Sequence, residues 1–260
     1  MLVVQDDGDR SNRHVISSTI FPDGTSQVWK LPDWIISPGL HVTLTWHFEQ
    51  ERELVDLMSF AALKGAALKG AALIELVLPY LPYARQDKPV DNSSTFNLHV
   101  FVGFLRGLRF KNIVVYSPHS TEALEGLEVR EVAFDGIDPD VSTVVVFPDE
   151  SALKRYGANP ELASRRRFVF KKKRDAATGT ITDLAPSTRE NEDDDHFPVS
   201  SKYAIVDDLC DGGRTFSRAA SFIRQKCADR EEAVGVTLHV HNAVFSAGLP
   251  LPFVDRGAHG

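Results

Sequence analysis

Short runs of apolar residues punctuate the chain: HVTLTW from His41, LIELVLPY from Leu73, NIVVYSP from Asn112, STVVVFPD from Ser142, RRFVFKK from Arg166, YAIVDDL from Tyr203 and AVGVTLHVH from Ala233. Their length and their Val and Ile content predict strands. Between them lie stretches whose apolar residues recur at helical spacing, ERELVDLMSFAALKGAAL from Glu51, TFNLHVFVGFLRGL from Thr95 and SRAASFIRQKCA from Ser217. Strands that alternate with helices predict an α/β architecture, mainly parallel sheets flanked by helices. The turn-forming text FDGIDPD, Phe134 to Asp140, has a set of strands on either side. It predicts two α/β lobes, residues 1–137 and 138–260.

Two stretches stand outside this alternation. From Ala61 the text AALKGAALKGAAL is a tandem five-residue repeat, too short for a solenoid; it reads as a duplication inside one helix, or as a helix that its glycines end. RENEDDDHFPVS, from Arg189, is acidic and turn-rich and reads as a solvated mobile loop.

Composition narrows the class. Of 260 residues 43% are hydrophobic and 25% charged, enough to bury one large core or two moderate ones. With 29 basic against 36 acidic residues the formal charge is −7, which argues against a nucleic-acid partner. The longest apolar stretch, 61–80, is broken by Lys64, Lys69 and Glu75, so no membrane partner is expected. Two cysteines, Cys210 and Cys227, lack metal-ligand spacing and read as reduced thiols, with a cytoplasmic location as the economical assignment. The apolar neighbour Leu209 marks Cys210 as a small buried filler.

Candidate chemistry concentrates in YAIVDDLCDGGRTF, Tyr203 to Phe216. A buried strand, a glycine turn and a helix start bring backbone amides together at an anion. Asp211, Gly212, Gly213, Arg214 and Thr215 would form the phosphate cup, while Asp207 and Asp208 at the strand end could accept hydrogen bonds from vicinal ribose hydroxyls. The alternative is structural, with the acids capping the helix and the glycines merely turning the chain.

VDDLCDGGRTF resembles the signature by which type I phosphoribosyltransferases and PRPP synthetases bind phosphoribosyl pyrophosphate. LPYLPYARQDKP, from Leu78, resembles the PYARQDK stretch of the second class only, the ribose-phosphate pyrophosphokinases. Arg85, Gln86, Asp87 and Lys88 are thereby implied in ATP binding, the arginine as a bidentate polyphosphate grip. FPDGTSQV resembles the F-x-D-G-E segment and implies Phe21 stacked on adenine and Asp23 on its amino group, with Thr25 where the family has glutamate. VVYSPHST is similar to the D-L-H segment and implies His119 as a catalytic and magnesium-side residue, Ser117 standing where the family has aspartate. VVVFPDESALKRY resembles S-P-D-x-G-G-x-x-R, implies Asp149 as a second metal-side or ribose-side carboxylate, and lacks the two glycines. FVFKKKRDAATG resembles the strand and flexible loop carrying the catalytic K-x-R and implies Lys172 and Arg174. HVHNAVFSAG is similar to the adenine-side T-H-x-x-F-S-G segment.

The resemblance runs from Phe21 to about Gly248, and the trimmed length is nearest to compact virus-type members of the family. It implies two phosphoribosyltransferase-like lobes and transfer of the pyrophosphoryl group of ATP to the anomeric hydroxyl of ribose 5-phosphate, with Mg2+ as cofactor and ATP as co-substrate. It further implies a homo-oligomer, a dimer or dimers stacked into a hexamer. Three alternatives stay open: the same chemistry on ADP-ribose in NAD salvage, a phosphoribosyltransferase that consumes PRPP, and a regulatory homologue without catalysis.

Overall fold

In the computed structural model residues 1–29, 31–36, 40–67, 73–89, 91, 93–134, 136–174, 181–187, 197–229 and 233–244 are described. The chain splits into two compact units, Met1–Val132 and Ala133–Gly260.

The first unit contains β1 (Leu2–Asp6), β2 (Arg13–Ile16), β3 (Ser18–Ile20), β4 (Ser26–Val28), β5 (His41–Trp46), α1 (Glu53–Ala67), β6 (Leu73–Leu78), α2 (Asn97–Gly107), β7 (Asn112–Tyr116) and β8 (Glu128–Arg130). Its main sheet has the order β2-β1-β5-β6-β7-β8. From β5 to β8 the pairing is parallel, and β1 runs antiparallel to both of its neighbours. Strict alternation in HVTLTW buries Val42, Leu44 and Trp46, as a period of two requires. Helix α2 buries Leu98, Phe101, Val102 and Leu105, the one-sided stripe of a helix lying on a sheet. Phe101 meets the ring of Trp46 at 6.1 Å. β3 and β4 form a separate hairpin, tied to α1 where the hydroxyls of Ser18 and Ser26 donate to Asp56 at 3.0 and 3.1 Å.

The second unit contains β9 (Val144–Phe147), α3 (Glu150–Tyr156), α4 (Pro160–Ala163), β10 (Arg167–Arg174), β11 (Ile181–Pro186), β12 (Lys202–Cys210), α5 (Arg214–Lys226) and β13 (Gly235–Ala243), with sheet order β11-β10-β9-β12-β13. All pairs are parallel except β10 with β11. Phe134 packs edge-on against Tyr156 at 4.9 Å and stacked on His241 at 4.1 Å, so the turn-rich text begins inside this unit's core.

Lys172 ends the predicted strand RRFVFKK, and Arg174, on the segment where the resemblance implied that a flexible loop follows, continues the same strand. Both belong to β10, where antiparallel pairing places Lys172 opposite Leu184 and Arg174 opposite Ile181, with a register shift between Lys173 and Arg174. Ladder hydrogen bonds to β11 extend the strand through the basic run. The side chain of Arg174 lies outside the described residues, as do most of the acidic stretch and residues 245–248 of HVHNAVFSAG.

Candidate functional site

Strand order decides where the second unit can bind a ligand. β9 is central; the chain leaves it through α3 to β10 on one side and later returns to β12 on the other. At such a reversal the crossovers diverge and a crevice opens beyond the carboxyl ends of the strands. Asp149 follows β9, Lys172 lies near the end of β10, and Asp207 and Asp208 lie near the end of β12.

These four charges are arranged in pairs. The Lys172 ammonium is ion-paired with Asp149, whose other function is to cap α3 by accepting the Ala152 amide at 2.9 Å. Burial works against the ionised form of Asp149, but Lys172 and the capped amides outweigh it and hold its pKa below the usual range. Asp208 is only 8% exposed and takes the Arg155 guanidinium at 3.1 Å. Asp207, beside it, accepts the Asp208 amide at 2.9 Å. Burial first, then the charge of Asp208, push its pKa up to about 8. Two adjacent carboxylates in a half-buried site do not both ionise readily.

Beyond β12 the chain turns through Asp211 and Gly212 into Gly213, which caps α5 with φ at 71°. That left-handed conformation is nearly free for glycine and strained for other residues. At this helix start Arg214 is exposed and Thr215 half-buried. Such a terminus is a built-in anion site. Cys210 is fully buried, and burial pushes its thiol up to about 11, which agrees with a filler and not a nucleophile.

In the first unit the expected residues follow the carboxyl ends of β6 and β7. Arg85, Gln86 and Lys88 are exposed and Asp87 half-buried in the loop after β6. Gln86 is fixed twice: its backbone carbonyl accepts from Leu98, and its side-chain oxygen accepts from the Asn97 amide at the start of α2. His119 is half-buried in the loop after β7. Tyr83 and Ser117, each two residues ahead of Arg85 and His119, adopt positive φ of 63° and 35°. Strain of this kind in non-glycine residues concentrates at ligand sites. Ser117 is held there by donation of its amide to Arg130 and acceptance of the Val132 amide by its hydroxyl. Phe21 and Asp23 sit in the β3–β4 turn, both exposed. Thr25 donates its amide and hydroxyl to Asp23 at 3.0 and 2.7 Å, which keeps the carboxylate ionised. Among the described residues no group of three or more His, Cys, Asp or Glu side chains could hold a metal ion.

The chain is 25% identical to the ribose-phosphate pyrophosphokinase of Sulfolobus acidocaldarius over 249 residues, 90% of this chain and 81% of that protein. It is 25% identical to the enzyme of the same name from Sulfurisphaera tokodaii over 238 residues, 88% of this chain and 78% of the other. This chain is a relative of the ribose-phosphate pyrophosphokinases. Its fold also matches the crystal structure of phosphoribosylpyrophosphate synthetase from Mycobacterium smegmatis, with a TM-score of 0.65 at 19% identity, covering 88% of this chain and 73% of that one. No protein-family model matches.

Relative to ribose-phosphate pyrophosphokinases the α/β fold with mostly parallel sheets is therefore shared. Sequence reasoning passed over Arg155 and Asn97. Arg155 stands at the end of the stretch VVVFPDESALKRY, where a basic residue on a short helix gave no sign of reaching β12. Asn97 gave none because its partner Gln86 is eleven residues away across a turn.

Proposed function

We propose that this chain is a ribose-phosphate diphosphokinase: it transfers the pyrophosphoryl group of ATP to the anomeric hydroxyl of ribose 5-phosphate, giving PRPP and AMP. The observation that carries the reading is the carboxyl end of β12, where Asp207 and Asp208 run directly into a glycine-capped helix terminus. A vicinal diol and a phosphate five atoms away are the complement of that surface.

The second unit binds the acceptor. Asp207 and Asp208 take the ribose hydroxyls, and the backbone of Asp211 to Gly213 with Arg214 and Thr215 takes the 5-phosphate. The first unit binds ATP through Arg85, Gln86, Asp87 and Lys88, with Phe21 and Asp23 at the adenine. The anomeric oxygen attacks the β-phosphorus, the bond to the α-phosphate oxygen breaks, and AMP departs. Catalysis here is positioning and charge neutralisation. Lys172, ion-paired with Asp149, turns to the transferring group, and Arg174 joins it.

Mg2+ would be held by the Asp149 carboxylate and the oxygens of ATP, the hard donors this ion prefers, and His119 is the further residue that the family resemblance implies for it. When bound it neutralises polyphosphate charge. We further assign the protein to the cytoplasm as a homo-oligomer, a dimer or dimers stacked into a hexamer.

A second reading has ADP-ribose as the acceptor. It is favoured by Arg214, exposed at the first residue of α5, where a guanidinium suits a diphosphate ester. Purified protein is given Mg2+ and ATP with ribose 5-phosphate or with ADP-ribose, and AMP is measured. AMP with ribose 5-phosphate is expected; AMP with ADP-ribose alone moves the activity to the second acceptor. Nucleotide binding without AMP from either would make the chain a regulatory homologue.

A further inference from the structure

Arg155 lies in the last turn of α3 and reaches β12, where one guanidinium nitrogen, Nη1, stands 3.1 Å from Oδ2 of Asp208. The contact is largely withdrawn from water, with the side chains 29% and 8% exposed. Its guanidinium also lies 5.8 Å from the ring of Tyr156, which is itself locked edge-on against Phe134. At the other end of the same helix Asp149 is the cap and the partner of Lys172. Thus α3 is tied to β10 at its start and to β12 at its end, and the two ties involve one carboxylate on each side of the switch point.

We propose that Arg155 is a positioning residue for the acceptor sugar, fixing the orientation in which the Asp208 carboxylate meets the ribose hydroxyls. The inference rests on the assignment of Asp207 and Asp208 to the sugar. A carboxylate on a strand end can rotate, and a second carboxylate next door repels it. One guanidinium held against the buried carboxylate removes both freedoms, because a charge-assisted hydrogen bond defines direction as well as charge. Arg155 is not required to touch the substrate, and ATP is not expected to sense it.

The test compares wild type with Arg155→Ala, Arg155→Lys, Asp208→Asn and the Arg155→Ala/Asp208→Asn double variant. Steady-state KM is measured for ribose 5-phosphate and for ATP, sugar-phosphate binding by calorimetry, and folding by thermal melting. Arg155→Ala is expected to raise KM for ribose 5-phosphate about tenfold or more while KM for ATP moves less than about twofold, the scale of one charge-assisted hydrogen bond. Arg155→Lys falls between wild type and Arg155→Ala. In the Asp208→Asn background the loss of Arg155 adds less than about twofold, because the group it orients is gone. Equal rises in both KM values, or an undiminished effect without Asp208, overturn the positioning role. Should Arg155→Ala fail to melt cooperatively, Arg155→Lys decides: a rise in KM confined to the sugar supports the role, and a rise shared with ATP overturns it. A wild-type protein that neither binds ribose 5-phosphate nor releases AMP with it overturns the sugar assignment beneath the proposal, a result distinct from the others.

Discussion

Lys172 and Asp149 reach each other across the gap between β10 and the start of α3, so the cation assigned to the transferring phosphoryl group has a carboxylate partner of its own. Its removal has two effects, loss of a charge that would stabilise the transition state and release of Asp149 from its partner. By analogy with an oxyanion-hole donor the first costs about 2.7–4 kcal/mol of barrier. Lys172→Ala is therefore expected to lower turnover at least about a hundredfold, measured as AMP release at saturating substrates, with ATP binding by calorimetry retained. Near-normal turnover would remove Lys172 from the mechanism.

Asp207 makes stability depend on pH. Its folded-state pKa is raised above the unfolded one, first by burial and then by Asp208, so the folded chain holds this proton more tightly. The contribution is fully present below the unfolded value and is lost as pH rises through the folded value of about 8. Asp207→Asn removes the penalty of ionisation. The variant is expected to gain stability over wild type at pH 8.5 and to gain little or nothing at pH 4, checked by urea denaturation at both. A difference that is constant with pH would show that Asp207 does not titrate in this window.

Glu53 supports the core of the first unit. Only 6% exposed, it accepts the indole N–H of Trp46 at 2.9 Å and the amide of Glu49 at 3.1 Å. Glu53→Ala leaves the buried Trp46 indole N–H without its acceptor, which costs about 1–3 kcal/mol, and frees the part-buried Glu49 amide to water. Expected are an earlier urea midpoint and a shifted Trp46 emission. An unchanged midpoint would mean that water satisfies these donors.

Much of this architecture was legible along the chain. HVTLTW, NIVVY and YAIVDDL are strands because runs of β-branched residues fit nothing else in a two-layered core, and TFNLHVFVGFLRGL is α2 because its stripe repeats over several turns. Short elements escaped. β8 is three residues held by pairing with β7, and α3 is seven, too few for periodicity to register. RRFVFKK reads as a strand up to Lys172, but Lys173 and Arg174 do not, because the basic run has no apolar alternation; pairing with β11 extends the strand through them. In the candidate site DDLCDGGRT announced itself because glycine and carboxylates at a strand end are local chemistry. The Arg155 to Asp208 contact did not, since it joins residues 53 positions apart (208 − 155). Gln86 was visible and Asn97, which aims it, was not.

Gly213 tests the anion cup most directly. With φ at 71°, it lets the chain enter α5 at the turn assigned to the anion. Gly213→Ala puts a Cβ into the left-handed region, at a cost of roughly 1–2 kcal/mol. A purely structural glycine predicts lower thermal stability with unchanged KM once the protein is folded. The anion cup predicts more: KM for ribose 5-phosphate should rise at least about tenfold at a temperature where the variant is fully folded, and KM for ATP should stay in place. Sugar-phosphate binding that survives in the folded variant would return the turn to the role of a bend in the chain.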